Sequence, residues 1–175
     1  MNVVLVGYRC SGKSSTSQYV AAGLGWPVIH TDREIAARAG QRIVDIVRSG
    51  GWKRFRELEM DVIKAVTAME GVVVDAGGSV VAEQRSVTLL RARGRIVWLR
   101  TSAPEIRSRM EKLDVTLVPL TMNGSAIEEV DEMLQRFDPL YEAAADYVID
   151  TGGRQPADIA AEILKMVLNQ CPLLP

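Results

Sequence analysis

Hydrophobic residues in this chain fall in short dense runs separated by longer stretches of mixed polarity. Val3-Val4-Leu5-Val6, Val28-Ile29-His30-Thr31, Val72-Val73-Val74, Ile96-Val97-Trp98-Leu99 and Tyr147-Val148-Ile149 are short and mostly β-branched, which predicts five buried strands. The intervening spacing predicts helices over about 13–24, 82–91, 101–112, 125–143 and 156–169. Residues 33–69 read as helix in pieces, broken at Gly40 and at Gly50-Gly51. In the last of these pieces Phe55, Leu58, Met60, Val62, Ile63 and Val66 recur at roughly helical spacing. Ser102 reads as an N-cap, with Pro104 tolerated in the first turn. Residues 113–124 lack clear periodicity and include Pro119 and Gly124, and the tail Cys171-Pro172-Leu173-Leu174-Pro175 reads as frayed.

Strands that alternate with helices predict an α/β fold, a parallel sheet covered on both faces. Right-handed crossovers bring the C-terminal ends of such strands to one edge, where ligands bind. The 175 residues suit a single domain, 1–175, with one sizeable core. Hydrophobic residues at 47%, charged residues at 25% and a formal charge of −1 fit a soluble globular protein. They argue against a general binder of nucleic acid or membrane surfaces, which carries a basic excess. No apolar run approaches the ~20 residues of a membrane span, and the N-terminus has no signal-peptide pattern. Cys10 and Cys171 lie far apart, and the single histidine, His30, cannot complete a zinc set with them, so a reduced, cytoplasmic setting is expected.

The strongest chemical signal is Gly7-Tyr8-Arg9-Cys10-Ser11-Gly12-Lys13-Ser14, which matches GxxxxGK[ST] between a predicted strand and a predicted helix. Glycines at those positions let successive backbone N–H groups point inward at phosphate oxygens, and the helix N-terminus adds partial positive charge. Cys10, Ser11, Gly12, Lys13, Ser14 and Ser15 are therefore expected to bind the phosphates of ATP, with Lys13 at the β and γ phosphates and Ser14 on Mg²⁺. Two readings of Cys10 stand: a thiolate favoured by the N–H groups and Lys13, or, the preferred one, a small residue that the loop tolerates.

Further segments resemble the shikimate kinase family over nearly the whole chain. They are His30-Thr31-Asp32, Phe55-Arg56-Glu57-Leu58-Glu59, Ala76-Gly77-Gly78, Arg136-Phe137-Asp138-Pro139-Leu140-Tyr141, and Asp150-Thr151 followed by Arg154 and Pro156. The resemblance implies a three-layer P-loop fold like that of nucleoside monophosphate kinases, with a five-stranded parallel sheet and a small lid of about 112–124. It also implies ATP and Mg²⁺ as cofactors, and shikimate or a related hydroxy acid as the small-molecule partner of a monomer. Asp32 would orient and help deprotonate the attacking hydroxyl, so Lys13 and Asp32 form the catalytic pair. Arg56 and Arg136 would clamp the substrate carboxylate, as planar guanidinium groups can. Gly77, through its N–H, and Gly78 complete the acceptor side. Arg109 and Arg154 would flank the adenine. The plain alternatives are a salt bridge of Arg56 with Glu59, an N-cap role for Asp32, and a solvated helix face for Arg109 beside Arg107.

Several positions depart from the family pattern. His30 stands where the family has an aspartate for Mg²⁺, and a neutral imidazole is a poor ligand for that hard cation. Asp75, closing Val72-Val73-Val74, is expected to compensate as a metal ligand, the alternative being a turn cap or a partner for an arginine. Ala76 replaces the first glycine of a triple, which is tolerable unless the backbone there needs positive φ. Val118-Pro119-Leu120-Thr121 lacks the lid arginine, with Lys112 the nearest substitute. Val47 and Trp52-Lys53-Arg54 alter the acceptor side. Three readings follow: a shikimate kinase, a kinase for a different small hydroxy acid or sugar, and a nucleotide-binding relative with little turnover.

Overall fold

Alternation along the strands decides the architecture. In the computed structural model, which describes residues 1–112 and 125–170, Val3, Leu5, Val73, Val97, Leu99 and Ile149 bury against one layer of helices. Val4, Val6, Val74, Ile96 and Trp98 bury against another. Successive side chains of a strand point to opposite faces, so one apolar run feeds two cores. Each fully buried Val, Leu or Ile contributes roughly 1.5–3 kcal/mol. The expected lid, including Val118, and the tail 171–175 lie outside the described residues.

Strands β1 (Asn2–Val6), β2 (Val28–His30), β3 (Val73–Asp75), β4 (Gly94–Arg100) and β5 (Tyr147–Asp150) form one parallel sheet in the order β2-β3-β1-β4-β5. Helices α1 (Lys13–Leu24) and α7 (Pro156–Gln170) cover one face, through Val20, Ala21, Ile159, Ala160 and Ile163. The other face carries α3 (Ile43–Thr67), α4 (Gln84–Arg93), α5 (Ala103–Glu111) and α6 (Val130–Ala144), with Val62, Ile63, Leu90, Ile106, Met133 and Phe137 buried. A shorter helix, α2 (Thr31–Ala39), packs on α3. No helix among the described residues is long and apolar enough to cross a membrane.

Most boundaries follow the expected punctuation. Gly40 ends α2 in the left-handed region at φ 61°, and Gly51, at φ 68° and ψ 178°, kinks α3. The departures have causes of two kinds, tertiary at Thr31 and Asp75 and local before α6. Thr31, expected to end β2, instead opens α2, because its buried hydroxyl accepts a hydrogen bond from the Gly77 N–H at 2.8 Å. Asp75 belongs to β3 and pairs in register with Leu5 and His30. α6 starts at Val130 rather than 125. The turn before it is closed by Ser125 N–H donating to Glu128 Oε2 at 2.9 Å and Glu128 N–H donating to Ser125 Oγ at 3.2 Å.

Candidate active site

β1 feeds its C-terminal end into the loop 7–12, and α1 begins at Lys13. Gly12 caps that helix at φ 94° with no side-chain cap, and the first turn holds no acidic residue. The free N–H groups and positive end of α1 are thus left open to an anion. Gly7 cannot be replaced without rearrangement, since a Cβ there would lie 2.7 Å from Leu99 O. Lys13 Nζ donates to the carbonyls of Gly7 at 2.8 Å and Tyr8 at 3.0 Å, which holds the ammonium over the loop. Burial lowers the Lys13 pKa, and the carboxylates of Asp75 and Asp32 oppose that shift.

Cys10 is the one non-glycine residue among those described with positive φ, at 62°. Burial pushes its thiol pKa up and outweighs Arg9, Lys13 and Arg109. The thiolate reading therefore loses to that of a small residue held in a conformation better suited to glycine.

Ser14 Oγ donates to Asp75 Oδ2 at 2.6 Å, and His30 Nδ1 lies 2.8 Å from that same oxygen. Asp75 thus neither caps a turn nor pairs with an arginine among the described contacts. Ser14 and Asp75 are hard oxygen donors in one place, the chemistry that suits Mg²⁺. No cluster of three or more His, Cys, Asp or Glu occurs among the described residues.

Beyond the loop opens a cleft of about 480 Å³, lined by residues 10–16 together with Arg109, Arg154, Pro156 and Ile159. Arg109 donates to Cys10 O at 2.9 Å and to Glu105 Oε1 at 2.5 Å, so it braces the loop from α5. Arg107, its neighbour in sequence, turns away to Asp131 at 2.8 Å. Arg154 pairs with Glu162 at 2.7 Å. Ser15 is exposed on the cleft wall. Two hydroxyls there, Ser11 Oγ and Thr16 Oγ1, are buried with no partner among the described residues. Thr16 was not singled out from the sequence; a second hydroxyl following the Lys-Ser pair was its available signal.

The acceptor side gathers around Asp32 at the start of α2. Its residue keeps solvent access, but protein atoms crowd the carboxylate, and this desolvation raises its pKa. Lys13 opposes the shift, Asp75 adds to it, and Arg9 and Arg56 oppose it. Gly77 sits so close that a Cβ there would overlap Asp32 Oδ1. The expected role of Gly77 is corrected here: its N–H is already given to Thr31 Oγ1, so what position 77 supplies is the missing side chain. Ala76, Gly77 and Gly78 are absent from the positive-φ residues, which explains why alanine is accepted at 76. Gly78 lies against Gly7 O, and its own carbonyl accepts from the Tyr141 hydroxyl.

Arg56 stands between two roles. Its Nη1 donates to Glu59 Oε2 at 2.5 Å and to Ser79 O at 3.1 Å, with the guanidinium 5.4 Å from the Phe55 ring and 6.0 Å from that of Trp52. Glu59 is buried; burial raises its pKa against Arg56, and its Oε1 has no partner among the described residues. Arg136 is exposed on α6, 5.7 Å from the Phe137 ring, and the described contacts do not tie it to Arg56, Asp32 or Gly77. Val47 is buried in the core beside Ile46, whereas Trp52 borders Arg56. Lys112 is exposed at the end of α5. Arg9 went unremarked in the sequence, yet its charge bears on Asp32, Lys13 and Cys10.

A parallel sheet in this order, a phosphate loop between β1 and α1, and a carboxylate across the cleft define a P-loop small-molecule phosphotransferase. The family profile described as shikimate kinase matches residues 9–168. The chain belongs to the shikimate kinase family. It is 35% identical over 164 residues to the shikimate kinase of Thermodesulfovibrio yellowstonii, covering 94% of this chain and 93% of that one. It is 34% identical over 162 residues to that of Moorella thermoacetica, covering 93% and 91%. The solved structure of shikimate kinase from Acinetobacter baumannii in complex with shikimate superposes with a TM-score of 0.89 at 26% identity, covering 99% of this chain and 95% of that one.

Proposed function

We propose that this chain transfers the γ-phosphoryl group of ATP to the 3-hydroxyl of shikimate. The observation that carries the reading is the position of Asp32. Its carboxylate lies against Gly77 at the strand edge, inside the field of Lys13, Arg9 and Arg56, opposite the open end of α1. Phosphoryl transfer needs positioning and charge neutralisation more than covalent chemistry. In this reading Asp32 accepts the proton of the acceptor hydroxyl as its oxygen attacks the γ-phosphorus. Lys13 exchanges its two loop carbonyls for phosphate oxygens and neutralises the charge that develops there. The N–H groups of the loop and the first turn of α1 that are not given to Tyr8 O, as that of Ser11 is, hold the phosphates, and Arg109 and Arg154 border the nucleotide cleft. Arg56, oriented by Glu59, and Arg136 hold the acceptor carboxylate. Gly77 and Gly78 keep the edge open for the acceptor by the absence of side chains.

Ser14 and Asp75 would hold Mg²⁺, which neutralises phosphate charge when bound. Asp75 thereby takes over the carboxylate role that His30 cannot fill. A cytoplasmic, monomeric enzyme is the expectation that accompanies this reading, and gel filtration checks the second part.

The test is a coupled ADP-release assay with shikimate, gluconate and quinate as acceptors. Shikimate-dependent turnover that is lost in Asp32→Ala is the expected result. Turnover on gluconate or quinate alone would assign a different acceptor, and tight ATP binding with no turnover would leave only a nucleotide-binding protein.

A further inference from the structure

His30 and Asp75 are register partners at the C-terminal ends of β2 and β3. His30 Nδ1 lies 2.8 Å from Asp75 Oδ2, the oxygen that also accepts from Ser14 Oγ at 2.6 Å. On the far side of the ring, Gln18 Nε2 lies 3.3 Å from His30 Nε2. A carboxylate oxygen only accepts, so Nδ1 carries the proton toward Asp75. One carboxylate oxygen thus joins α1, β2 and β3.

We propose that His30 is a positioning residue for the divalent cation that accompanies ATP. Its Nδ1–H holds Asp75 Oδ2 beside Ser14 and leaves Oδ1 outside both bonds. A carboxylate at position 30 would set two like charges at one register pair, and that pair would need a cation to be stable. The imidazole gives Asp75 a partner before any cation arrives, so the ligand is oriented in the empty protein. Groups that orient a metal ligand from behind commonly matter to affinity almost as the ligand does.

This inference rests on Ser14 and Asp75 being the protein ligands of the cation. The experiment is a titration of ADP-saturated protein with Mn²⁺, free Mn²⁺ being read by electron paramagnetic resonance. Asparagine sets its amide nitrogen near the place of imidazole Nδ1, whereas glutamine sets it near that of Nε2. His30→Asn is therefore expected to keep the Mn²⁺ affinity, and His30→Gln to weaken it about tenfold. Glutamine is close in size to histidine and asparagine is smaller, and the melting temperatures of both variants serve as the control for folding. Equal affinities in the two variants, whether both retained or both lost, would overturn the role of the Nδ1 bond, as would loss in His30→Asn alone. Asp75→Asn separates the two levels. If it leaves Mn²⁺ binding unchanged, the cation site itself is wrongly assigned; if it weakens binding while His30→Gln does not, only the proposal for His30 fails.

Discussion

In the proposed reading, the nucleotide half and the acceptor half of the site are built by different means. The nucleotide half is one continuous stretch, residues 7–16, braced by Arg109 on Cys10 O. Its working groups are backbone N–H groups, a helix end and one lysine. The acceptor half is assembled from α2, α3, the connection after β3, and α6. Its working groups are side-chain charges whose state depends on their neighbours, as Asp32 and Glu59 show. A half made of backbone tolerates little change, because its shape is its function. A half made of distributed charges can be retuned one side chain at a time, without disturbing the sheet.

The largest effect should come from the group both halves share. Lys13→Met is expected to lower kcat by on the order of 10³-fold, measured by ADP release, and to weaken nucleotide binding as well. Asp32→Asn should separate the halves: a loss of about 10²–10⁴ in kcat with nucleotide binding retained in a direct binding assay. An equal loss of nucleotide affinity would mean that the two halves are not distinct.

Asp32 also makes a prediction about pH. Its raised pKa places the acid limb of kcat/KM above the ordinary carboxylate range. The folded state then binds this proton more tightly than the unfolded chain does. The associated stability is present below the unfolded pKa and disappears as pH rises through the folded one. At neutral pH Asp32→Asn should therefore raise the melting temperature, and no rise would place the carboxylate in a better-solvated setting.

Arg136 and Arg56 test the acceptor half alone. Losing one charge-assisted contact of about 1.5–3 kcal/mol should raise KM for the acceptor roughly tenfold or more in Arg136→Ala, with KM for ATP unchanged. If only Arg56→Ala shows this split, the clamp has one arm, a result in keeping with the exposed position of Arg136. The smallest effect belongs to the loop. Cys10→Gly removes a left-handed strain of about 1–2 kcal/mol against a glycine entropy cost of about 0.5–1 kcal/mol. A net gain of about 0.5–1 kcal/mol should raise the melting temperature by a few degrees, while activity stays close to its original level.

Legibility in the sequence follows the same division. Five apolar runs and the glycines at 40 and 51 predicted the sheet and the helix breaks, because both are local properties of the chain. The phosphate motif was equally plain, since its spacing is its geometry. Position 31 was misassigned to β2, because the reason for its helical start, the bond from Gly77, comes from a distant strand. The same bond removed the expected role of the Gly77 N–H. Neither partner carries any local mark of the other.

By itself, then, the sequence determined the α/β alternation, the two-faced strands and the loop at 7–14, all set by nearest neighbours and by the periods of strand and helix. It also marked Asp32, Arg56 and Asp75 as residues of interest without saying which charges would meet. Only the tertiary structure joined Ser14, Asp75 and His30 on one oxygen and set Arg109 rather than Arg107 on the loop. These pairings depend on strand order and register, which bring distant residues within hydrogen-bonding range, and such distances are written in no local pattern.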